Sequence, residues 1–364
     1  MKIKDIARFL EDLVPLYYQE KYDNCGLIVG DENINLDGIL IALDCTEEVI
    51  HEAIEEGCNL VIAHHPIIFS GIKKLNGRNY IERTIIKAIK NDISIYAIHT
   101  NLDNIKDGVN AKIAERLGLQ NTSVLSHKKD VLRQLAFYCP TKYADDVRNA
   151  LFEVGAGNID SYDQCSFNIS GRGTFRPSQK SNPFVGEAGK MHVEDEERVE
   201  VIFPTYLEQS IILKLQESHP YEQIAYQIYL LDNVRQDIGS GLVGDLQQEL
   251  PVDTFFKELK SRMNVHSIRH TSMVHKNIKK VAVCGGSGSF LLNAAKSVGA
   301  DVFISADFKY HEFFDAENSI IIADIGHYES EQFTKELIYD LLTKNFTKFA
   351  VRLSKVNTNP IKYL

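Results

Sequence analysis

The chain lacks several features that would place it in common classes of protein. None of its six cysteines forms a C-x-x-C pair, which argues against a thiolate zinc site or a disulfide framework and favours reduced thiols in the cytoplasm. No apolar run approaches the roughly 18–20 residues that span a membrane. The opening stretch MKIKDIARFLEDL is interrupted by charges, and it predicts an amphipathic helix rather than a signal peptide.

The chain also lacks an excess of positive charge. Its formal net charge is -10, and it contains no long run of Lys and Arg. This balance argues against nucleic acid as the main partner, because phosphate contacts need clustered cations. The composition is otherwise that of an ordinary globular protein, with 44% hydrophobic and 25% charged residues. A length of 364 residues suits two or three domains.

Short apolar strands alternate with helices at both ends of the chain. The predicted strands are 38–44, 59–63, 93–98, 279–284, 301–305, 319–324 and 349–353. The predicted helices are 46–57, 80–90, 290–298 and 329–343. Near-continuous apolar strands separated by helices indicate an α/β fold with mostly parallel sheets covered on both faces.

The middle of the chain has a different pattern. Strands are predicted at 131–139, 199–203 and 224–231, and a helix at 143–154. The stretch 172–199 is polar and rich in Gly, Pro and Ser, which predicts a loop. We therefore predict one discontinuous, two-half α/β domain made of residues 1–128 and 236–364, with residues 129–235 inserted as a small α+β domain.

Two adjacent histidines, His64 and His65, follow the strand NLVIA directly. In open parallel sheets, ligands collect at the carboxyl ends of strands, and neutral imidazole is a common metal ligand. Successive side chains on a strand point to opposite sides, so each histidine could reach a different metal ion. The alternative for this motif taken alone is one buried and one surface histidine without a metal.

Two further strand ends carry the same residue types. Asp103 lies just past the strand ISIYAI, and His99 at its end could be a ligand or could orient one; we favour the second role. His327 and Glu331 are spaced i, i+4, so on a helix they point to one spot. Taken singly, Asp103 could be a loop or capping carboxylate, and Glu331 a solvated residue at a helix start.

Together these residues predict a site for two divalent metal ions. Three imidazoles and two carboxylates are too many for one tetrahedral ion that keeps an open position, but they suit a pair. Paired ions about 3.5–4 Å apart can activate a water and neutralise an oxyanion. Mixed nitrogen and oxygen ligands accept Zn, Fe, Mn, Co or Ni, so the sequence does not select the metal.

Several other residues are weaker candidates. The segment CGGSGSF (284–290) could be a phosphate loop, but it lacks the P-loop lysine and the third glycine of the dinucleotide fingerprint, so a tight turn is favoured. Asp307 follows the strand DVFIS and could act as an acid or base, orient a ligand, or cap a helix. His219 is predicted to be structural. No role is assigned to Asp23 or Asn24.

Over nearly its whole length the chain resembles the Nif-three-like dinuclear metal proteins, often labelled GTP cyclohydrolase type 2. The motifs that carry the resemblance are YDNCGLIVG (22–30), AHHPIIF (63–69), HTNLD (99–103), GAGNIDSYDQCSF (155–167), GRGTF (171–175), HPYEQIAY (219–226) and GHYESE (326–331). Several separate stretches in the same order are highly specific. One departure is Tyr22, which stands where Trp is expected, and the change is conservative.

The resemblance implies five metal ligands, which are His64, His65, Asp103, His327 and Glu331. It also implies that the inserted domain is similar to the trimeric PII and CutA-like proteins, and that the chain forms a toroidal homohexamer whose metal sites face an inner cavity. The implied activity is that of a metal-dependent hydrolase in which a metal-activated water attacks a purine nucleotide such as GTP. A metal-dependent phosphoesterase and a non-catalytic, metal-responsive scaffold or regulatory protein remain alternatives.

Overall fold

The computed structural model describes residues 1–347 and 349–364. The chain forms two compact units. The larger unit consists of Met1–His127 and Gln236–Leu364, and the smaller unit of Lys128–Arg235. Among the described residues, no helix combines the length and the apolar character needed to cross a bilayer.

Helices and short strands alternate in the first part of the larger unit. The helices are α1 (Ile3–Leu13), α2 (Glu47–Glu55), α3 (Tyr80–Lys90), α4 (Thr100–Asp103) and α5 (Val109–Leu117). The strands are β1 (Gly26–Val29), β2 (Ile39–Ala42), β3 (Leu60–Ala63), β4 (Ser94–Ala97) and β5 (Leu119–His127). The predicted helix starts are confirmed for α2 and α3, where the side chains of Thr46 and Asn79 accept hydrogen bonds from backbone N–H groups.

The smaller unit contains β6 (Leu132–Pro140), α6 (Thr141–Glu153), β7 (Phe167–Phe175), β8 (His192–Pro204), α7 (Glu208–Ser218) and β9 (Tyr226–Leu230). Its strands form one antiparallel sheet in the order β7-β8-β6-β9. This is the split β-α-β-β-α-β arrangement. One core joins the sheet to both helices, with Phe137 and Val199 from strands and Val147 and Leu215 from helices.

The larger unit resumes with further helices and strands. The strands are β10 (Gly239–Pro251), β11 (Arg269–His270), β12 (Asn277–Ser287), β13 (Val302–Ala306), β14 (Ile321–Asp324) and β15 (Val351–Leu353). The helices are α8 (Val252–Arg262), α9 (Leu292–Ser297), α10 (His327–Glu331) and α11 (Thr334–Asn345). Short 3-10 helices lie at Leu16–Tyr18, Thr205–Leu207, Ser289–Leu291 and Tyr310–Ala316.

Two sheets organise the larger unit. The first has the order β1-β4-β3-β2-β15, and all its strands are parallel except β1. The second has the order β11-β14-β13-β12-β10-β5, in which the pairs β12–β13 and β13–β14 are parallel and the other three pairs are antiparallel. The prediction of mostly parallel sheets is therefore wrong for the second sheet. The glycine-rich and polar pattern of β10 concealed the antiparallel strands at that edge.

The two sheets of the larger unit share one hydrophobic core. Ile62 and Tyr96 of the first sheet belong to the same buried cluster as Ile304 and Ile321 of the second. Each such side chain contributes about 1.5–3 kcal/mol to stability when it is fully buried. Because this core joins the two sheets, loops at the strand ends of one sheet can reach those of the other.

Two predicted segments differ from the structure. The stretch 172–199 was expected to be a loop, but β7 runs to Phe175 and β8 begins at His192, where these two residues pair. Most β7 side chains are exposed, so the hairpin depends on backbone hydrogen bonds and leaves little hydrophobic pattern to detect. The predicted helix 329–343 is also wrong as one piece, because it is divided into α10 and α11.

Candidate metal centre

The candidate ligands lie on segments that follow three strands. His64 and His65 follow β3 directly, and Asp103 is the last residue of α4, the short helix after β4. After β14, Gly326 adopts a φ of 94° and α10 begins at His327, so that Glu331 lies one turn further along. A residue with a Cβ would be strained at Gly326, which makes glycine the residue suited to this turn.

These side chains meet in three groups. In each group the candidate ligand atoms lie within 4.8 Å of one another, so the group could hold a metal ion. The groups are His64, Asp103 and Glu331; His65, His327 and Glu331; and His64, His65 and His99. The fold thus brings together the five residues predicted as ligands, together with His99.

Glu331 is common to two of the groups, and each of its oxygens faces a different one. Oε1 lies 3.7 Å from Nε2 of His64. Oε2 lies 2.9 Å from Nε2 of His65 and 3.1 Å from Nε2 of His327. The Glu331 side chain is 3% exposed, so this carboxylate is shielded from water and depends on its neighbours for compensation.

Three histidines turn the same ring nitrogen towards the centre. In each of them Nδ1 lies within hydrogen-bonding distance of an oxygen, which leaves Nε2 facing the other candidate ligands. The pairs are His64 Nδ1 with the Ile98 carbonyl at 2.8 Å, His65 Nδ1 with Asp44 Oδ1 at 2.7 Å, and His327 Nδ1 with Asp307 Oδ2 at 2.6 Å. Outer hydrogen bonds of this kind orient the histidines that bind metals in proteins.

Two buried polar atoms point at each other without a partner. Nε2 of His64 and Oδ1 of Asp103 are 3.7 Å apart, and neither has a hydrogen-bond partner among the described residues. An unsatisfied buried group costs about 1–3 kcal/mol. Burial, together with the charge on Glu331, also raises the pKa of Asp103 well above its usual range. A cation bound to both atoms would remove these penalties, so the residues fit a metal ion.

In the second group, neighbouring carboxylates raise the pKa of both histidines. Burial lowers the pKa of His65, but hydrogen bonds to Asp44 and Glu331 outweigh that effect and raise it to about 10. Burial of His327 is likewise outweighed by its hydrogen bonds to Asp307 and Glu331, and its pKa rises to about 11. These carboxylates therefore favour positive charge at the place where a divalent cation would supply it.

The His99 side chain lies at the same centre and is paired with a buried carboxylate. Its Nδ1 lies 2.8 Å from Oδ1 of Asp23, whose side chain is 0% exposed. Burial opposes the charge on Asp23, but its hydrogen bonds to His99, Thr100 and the Asn24 backbone hold its pKa well below the usual range. With Nδ1 donating to this carboxylate, Nε2 of His99 is left to accept or donate a proton.

Two carboxylates that lie beside the candidate ligands are not predicted from the sequence. Asp44 lies two residues after β2 and contacts His65, and no role had been assigned to Asp23. The sequence pattern that could have indicated Asp44 is its position after the carboxyl end of β2, next to the end of β3 where His64 and His65 follow. Asp307, for which an acid or base, a group that orients a ligand and a helix cap were the alternatives, accepts a hydrogen bond from His327. His219 lies in the smaller unit, where both its ring nitrogens bond to backbone groups.

The glycine-rich segment 284–290 packs directly on the ligands. Gly286 has a φ of 60°, and a Cβ built there would lie 2.4 Å from Oε1 of Glu331. Its N–H donates to Oγ of Ser330 at 2.9 Å, and its carbonyl accepts from Ser305 at 3.0 Å. The glycine therefore leaves the space that Glu331 occupies.

A cavity of about 1090 Å³ opens over the centre. His65, His99, Asp103, His327 and Glu331 all contribute to its wall. The rest of the lining is mixed, and besides aliphatic residues and the acidic Glu20 and Glu82 it includes Tyr22, Phe69, Lys73, Lys74, Tyr80 and Phe290. Sites for small molecules are typically cavities of about 300–1,000 Å³, so this space is slightly larger than that range and can hold a small-molecule ligand.

Comparison with known proteins gives matches over the whole chain. The model of the Duf34/NIF3 (NGG1p interacting factor 3) family matches residues 1–360. A Bacillus subtilis protein named GTP cyclohydrolase 1 type 2 homolog is 38% identical over 367 residues, covering 99% of this chain and 98% of that protein. A Staphylococcus epidermidis protein of the same name is 34% identical, with 100% of both chains covered.

Solved structures show the same likeness. A Bacillus cereus protein related to NIF3 superposes with a TM-score of 0.84 at 36% identity, covering 100% of this chain and 99% of the other. Staphylococcus aureus protein SA1388 superposes with a TM-score of 0.80 at 32% identity and the same coverage. The likeness therefore extends over both compact units.

Proposed function

The chain belongs to the Duf34/NIF3 family, and on that premise we propose that it binds two divalent metal ions and hydrolyses a purine nucleotide or a related compound. The observation that carries this proposal is the position of Glu331. One of its oxygens faces His64 and the other faces His65 and His327, so two ligand groups share one carboxylate.

The two groups divide the ligands as follows. His64, Asp103 and Glu331 would hold one ion, and His65, His327 and Glu331 the other. Nitrogen and oxygen ligands of this kind accept Zn, Fe, Mn, Co or Ni. When bound, such a pair of ions would supply Lewis acidity and an activated water.

We assign acid–base chemistry to His99. Asp23 accepts a hydrogen bond from Nδ1–H of His99, which fixes the orientation of the ring and leaves Nε2 for proton transfer. The same carboxylate would stabilise the imidazolium that forms when Nε2 takes a proton. Asp307 would act differently, by orienting His327 through a hydrogen bond to its Nδ1.

The substrate class is supported by the cavity and by the relatives. Exposed aromatic rings at Tyr22, Phe69 and Tyr80 line the cavity and could contact a purine ring. Lys73 and Lys74 line the same wall and carry charge complementary to phosphate groups. The relatives bear the name GTP cyclohydrolase 1 type 2 homolog, which makes GTP the first compound to test.

The test begins with metal content and continues with turnover. Elemental analysis of the wild-type protein should give two ions per chain, and His64→Ala should lose at least one of them. GTP should then be incubated with protein loaded with Mn, Fe or Zn, and the products separated by chromatography. His51→Ala is a matched control, because this exposed histidine of α2 forms an ion pair with Glu55 on the same helix.

Each outcome assigns or removes a function. If metal-loaded wild type and His64→Ala turn over GTP equally, the assigned site is wrong. His99→Ala should keep both ions and lose about 10²–10⁴-fold in kcat. Phosphate release with an intact purine ring would indicate a phosphoesterase. No turnover on a nucleotide panel, with partners lost on deletion of residues 129–235, would indicate a scaffold.

Three further properties are part of the proposal. We propose that residues 129–235 form a PII/CutA-like domain, a view supported by the β-α-β-β-α-β order of the smaller unit. We also propose a toroidal homohexamer in the cytoplasm. Light scattering after size exclusion should then give six times the chain mass of 41.2 kDa.

A further inference from the structure

The segment that follows β15 returns to the metal centre. Its start is tied to α2, because the Ser354 hydroxyl and the Lys355 N–H both donate to the carboxylate of Glu52, at 2.5 and 2.8 Å. Ser354 N–H also donates to the Ile41 carbonyl at 2.8 Å, which continues the pairing of β15 with β2. We refer to residues 354–364 as the C-terminal strap.

The strap reaches the outer partner of a candidate ligand. Oγ1 of Thr358 donates to Oδ2 of Asp44 at 2.5 Å. The other oxygen of the same carboxylate, Oδ1, lies 2.7 Å from Nδ1 of His65. Asp44 is therefore held between the strap and His65, and the Thr358 hydroxyl restricts the rotation of the carboxylate about its Cβ–Cγ bond.

A second contact joins the strap to the helix that carries the other ligands. Nδ2 of Asn359 donates to Oε1 of Glu329 at 3.0 Å. Glu329 is buried on α10, midway between His327 and Glu331. Neighbouring strap residues thus contact both the partner of His65 and the helix of His327 and Glu331.

The strap also separates two cavities. Thr358 and Pro360 line the cavity of about 1090 Å³ over the centre. Val356 and Lys362 line a second cavity of about 820 Å³. Removing the strap would therefore open the wall between the two spaces beside His327.

We propose that the C-terminal strap is a functional part of the metal centre, and that Thr358 is a positioning residue that orients His65 through Asp44. This inference rests on the proposed function, since it needs His65 to bind a metal. Outer hydrogen-bond partners of metal ligands typically contribute about 10–100-fold in metal affinity. Thr358 lies one hydrogen bond further from the metal than Asp44, and it affects the orientation of His65 through the Asp44 carboxylate.

The test compares metal binding by Thr358→Val and Thr358→Ser, with Co²⁺ and Zn²⁺ alone as probes. Competition titrations should show that Thr358→Val weakens one of the two binding steps by up to about 10–100-fold, and that Thr358→Ser restores it. The absorption spectrum of bound Co²⁺ should change in Thr358→Val only. Thr343→Val is the matched control, because its hydroxyl donates to a backbone carbonyl within α11.

A double-mutant cycle checks that Thr358 acts through Asp44. The double variant Asp44→Asn, Thr358→Val should bind no more weakly than Asp44→Asn alone, because both changes break the same path. A chain ending at Lys355 should reproduce the loss of affinity and provides a second variant if Thr358→Val folds poorly.

The outcomes separate the inference from the proposed function. Wild-type protein that binds neither Co²⁺ nor Zn²⁺ would contradict the metal centre itself. Wild-type protein that binds two ions, with affinity unchanged in both Thr358→Val and the shortened chain, would overturn the role of the strap alone. If the losses of metal affinity in Asp44→Asn and Thr358→Val add up in the double variant, the path through Asp44 is also overturned.

Discussion

Glu331 is buried, yet it is surrounded by groups that compensate its charge. Its oxygens face His64, His65 and His327. Burial raises its pKa, but hydrogen bonds from His327 and His65, together with the charge on His327, outweigh burial and keep the pKa well below the usual range. Breaking one side of a buried ion pair typically costs about 3–5 kcal/mol, because the remaining charge is left uncompensated. Loss of the imidazole of His64, His65 or His327 is therefore expected to disturb both ligand groups.

Metal binding is expected to release protons and to weaken as the pH falls. In the metal-free protein, carboxylates raise the pKa of His65 to about 10 and that of His327 to about 11, so this pair of rings holds a proton at neutral pH. Because Nε2 must be free of its proton before it can bind a cation, binding at pH 7 should release at least one proton. Calorimetry with Zn²⁺ in buffers of different ionisation enthalpy measures that number.

A variant of Asp307 provides the comparison for this experiment. Asp307→Asn removes the carboxylate that raises the pKa of His327, so fewer protons should be released on binding. If the heat of binding does not depend on the buffer in the wild-type protein, the protonated metal-free centre is ruled out.

The candidate residues differ in how far the sequence could predict them. The i, i+4 spacing predicted that His327 and Glu331 share a helix face, and Nε2 and Oε2 lie 3.1 Å apart. The contact of Glu331 with His65 joins residues 266 positions apart and depends on how the two sheets pack. Asp44 and Thr358 were not predicted, because an isolated Asp or Thr has many roles and the strap has no distinctive pattern.

Short elements position the centre. The helix α10 has five residues and carries two candidate ligands, and β12 brings Gly286 against it. Such a short helix has little stability of its own. Its place is therefore set by contacts with neighbouring segments, including the hydrogen bond from the Gly286 N–H to Ser330.

Gly286→Ala is expected to displace Glu331 and to abolish binding of the shared pair of ions. The new Cβ would lie 2.4 Å from Oε1 of Glu331, and the φ of 60° would add strain of about 1–3 kcal/mol. Gly299→Ala is the matched control, since Gly299 has a φ of 70° but no atom within 4 Å of the added carbon. Both variants should melt earlier, and only Gly286→Ala should lose metal in elemental analysis. Equal metal content in the two would contradict the close contact.

Buried strands were easier to predict than exposed ones. The predicted strands 59–63 and 319–324 correspond to β3 and β14, which are buried along their whole length. The predicted strand 199–203 corresponds to the second half of β8. Strand β7 was missed, because its exposed side chains carry no apolar periodicity. Antiparallel β10 was missed for a similar reason, since its second half is polar and largely exposed.

The whole molecule contains separate hydrophobic cores. The larger unit has a core shared by its two sheets, and the smaller unit has its own core between its sheet and helices. The described residues of the smaller unit contribute nothing to the three ligand groups. Metal binding should therefore stabilise one unit and leave the intrinsic stability of the other unchanged.

Calorimetric unfolding with and without a chelator tests this expectation. The transition of the larger unit should move to higher temperature with metal, because ions that bind only the folded state add about 4 kcal/mol at 1,000 times Kd. A second transition, from residues 128–235, should not move. A metal-dependent shift of both transitions would contradict the assignment of the ions to the larger unit.

In the sequence, some candidate ligands precede the smaller unit and others follow it. His64, His65 and Asp103 emerge from the ribosome before residues 128–235, whereas His327 and Glu331 emerge after them. A nascent chain therefore cannot complete the two proposed ligand groups until translation has passed Glu331. A product that ends between Asp103 and His327 would carry three of the five candidate ligands and lack the carboxylate that the two groups share.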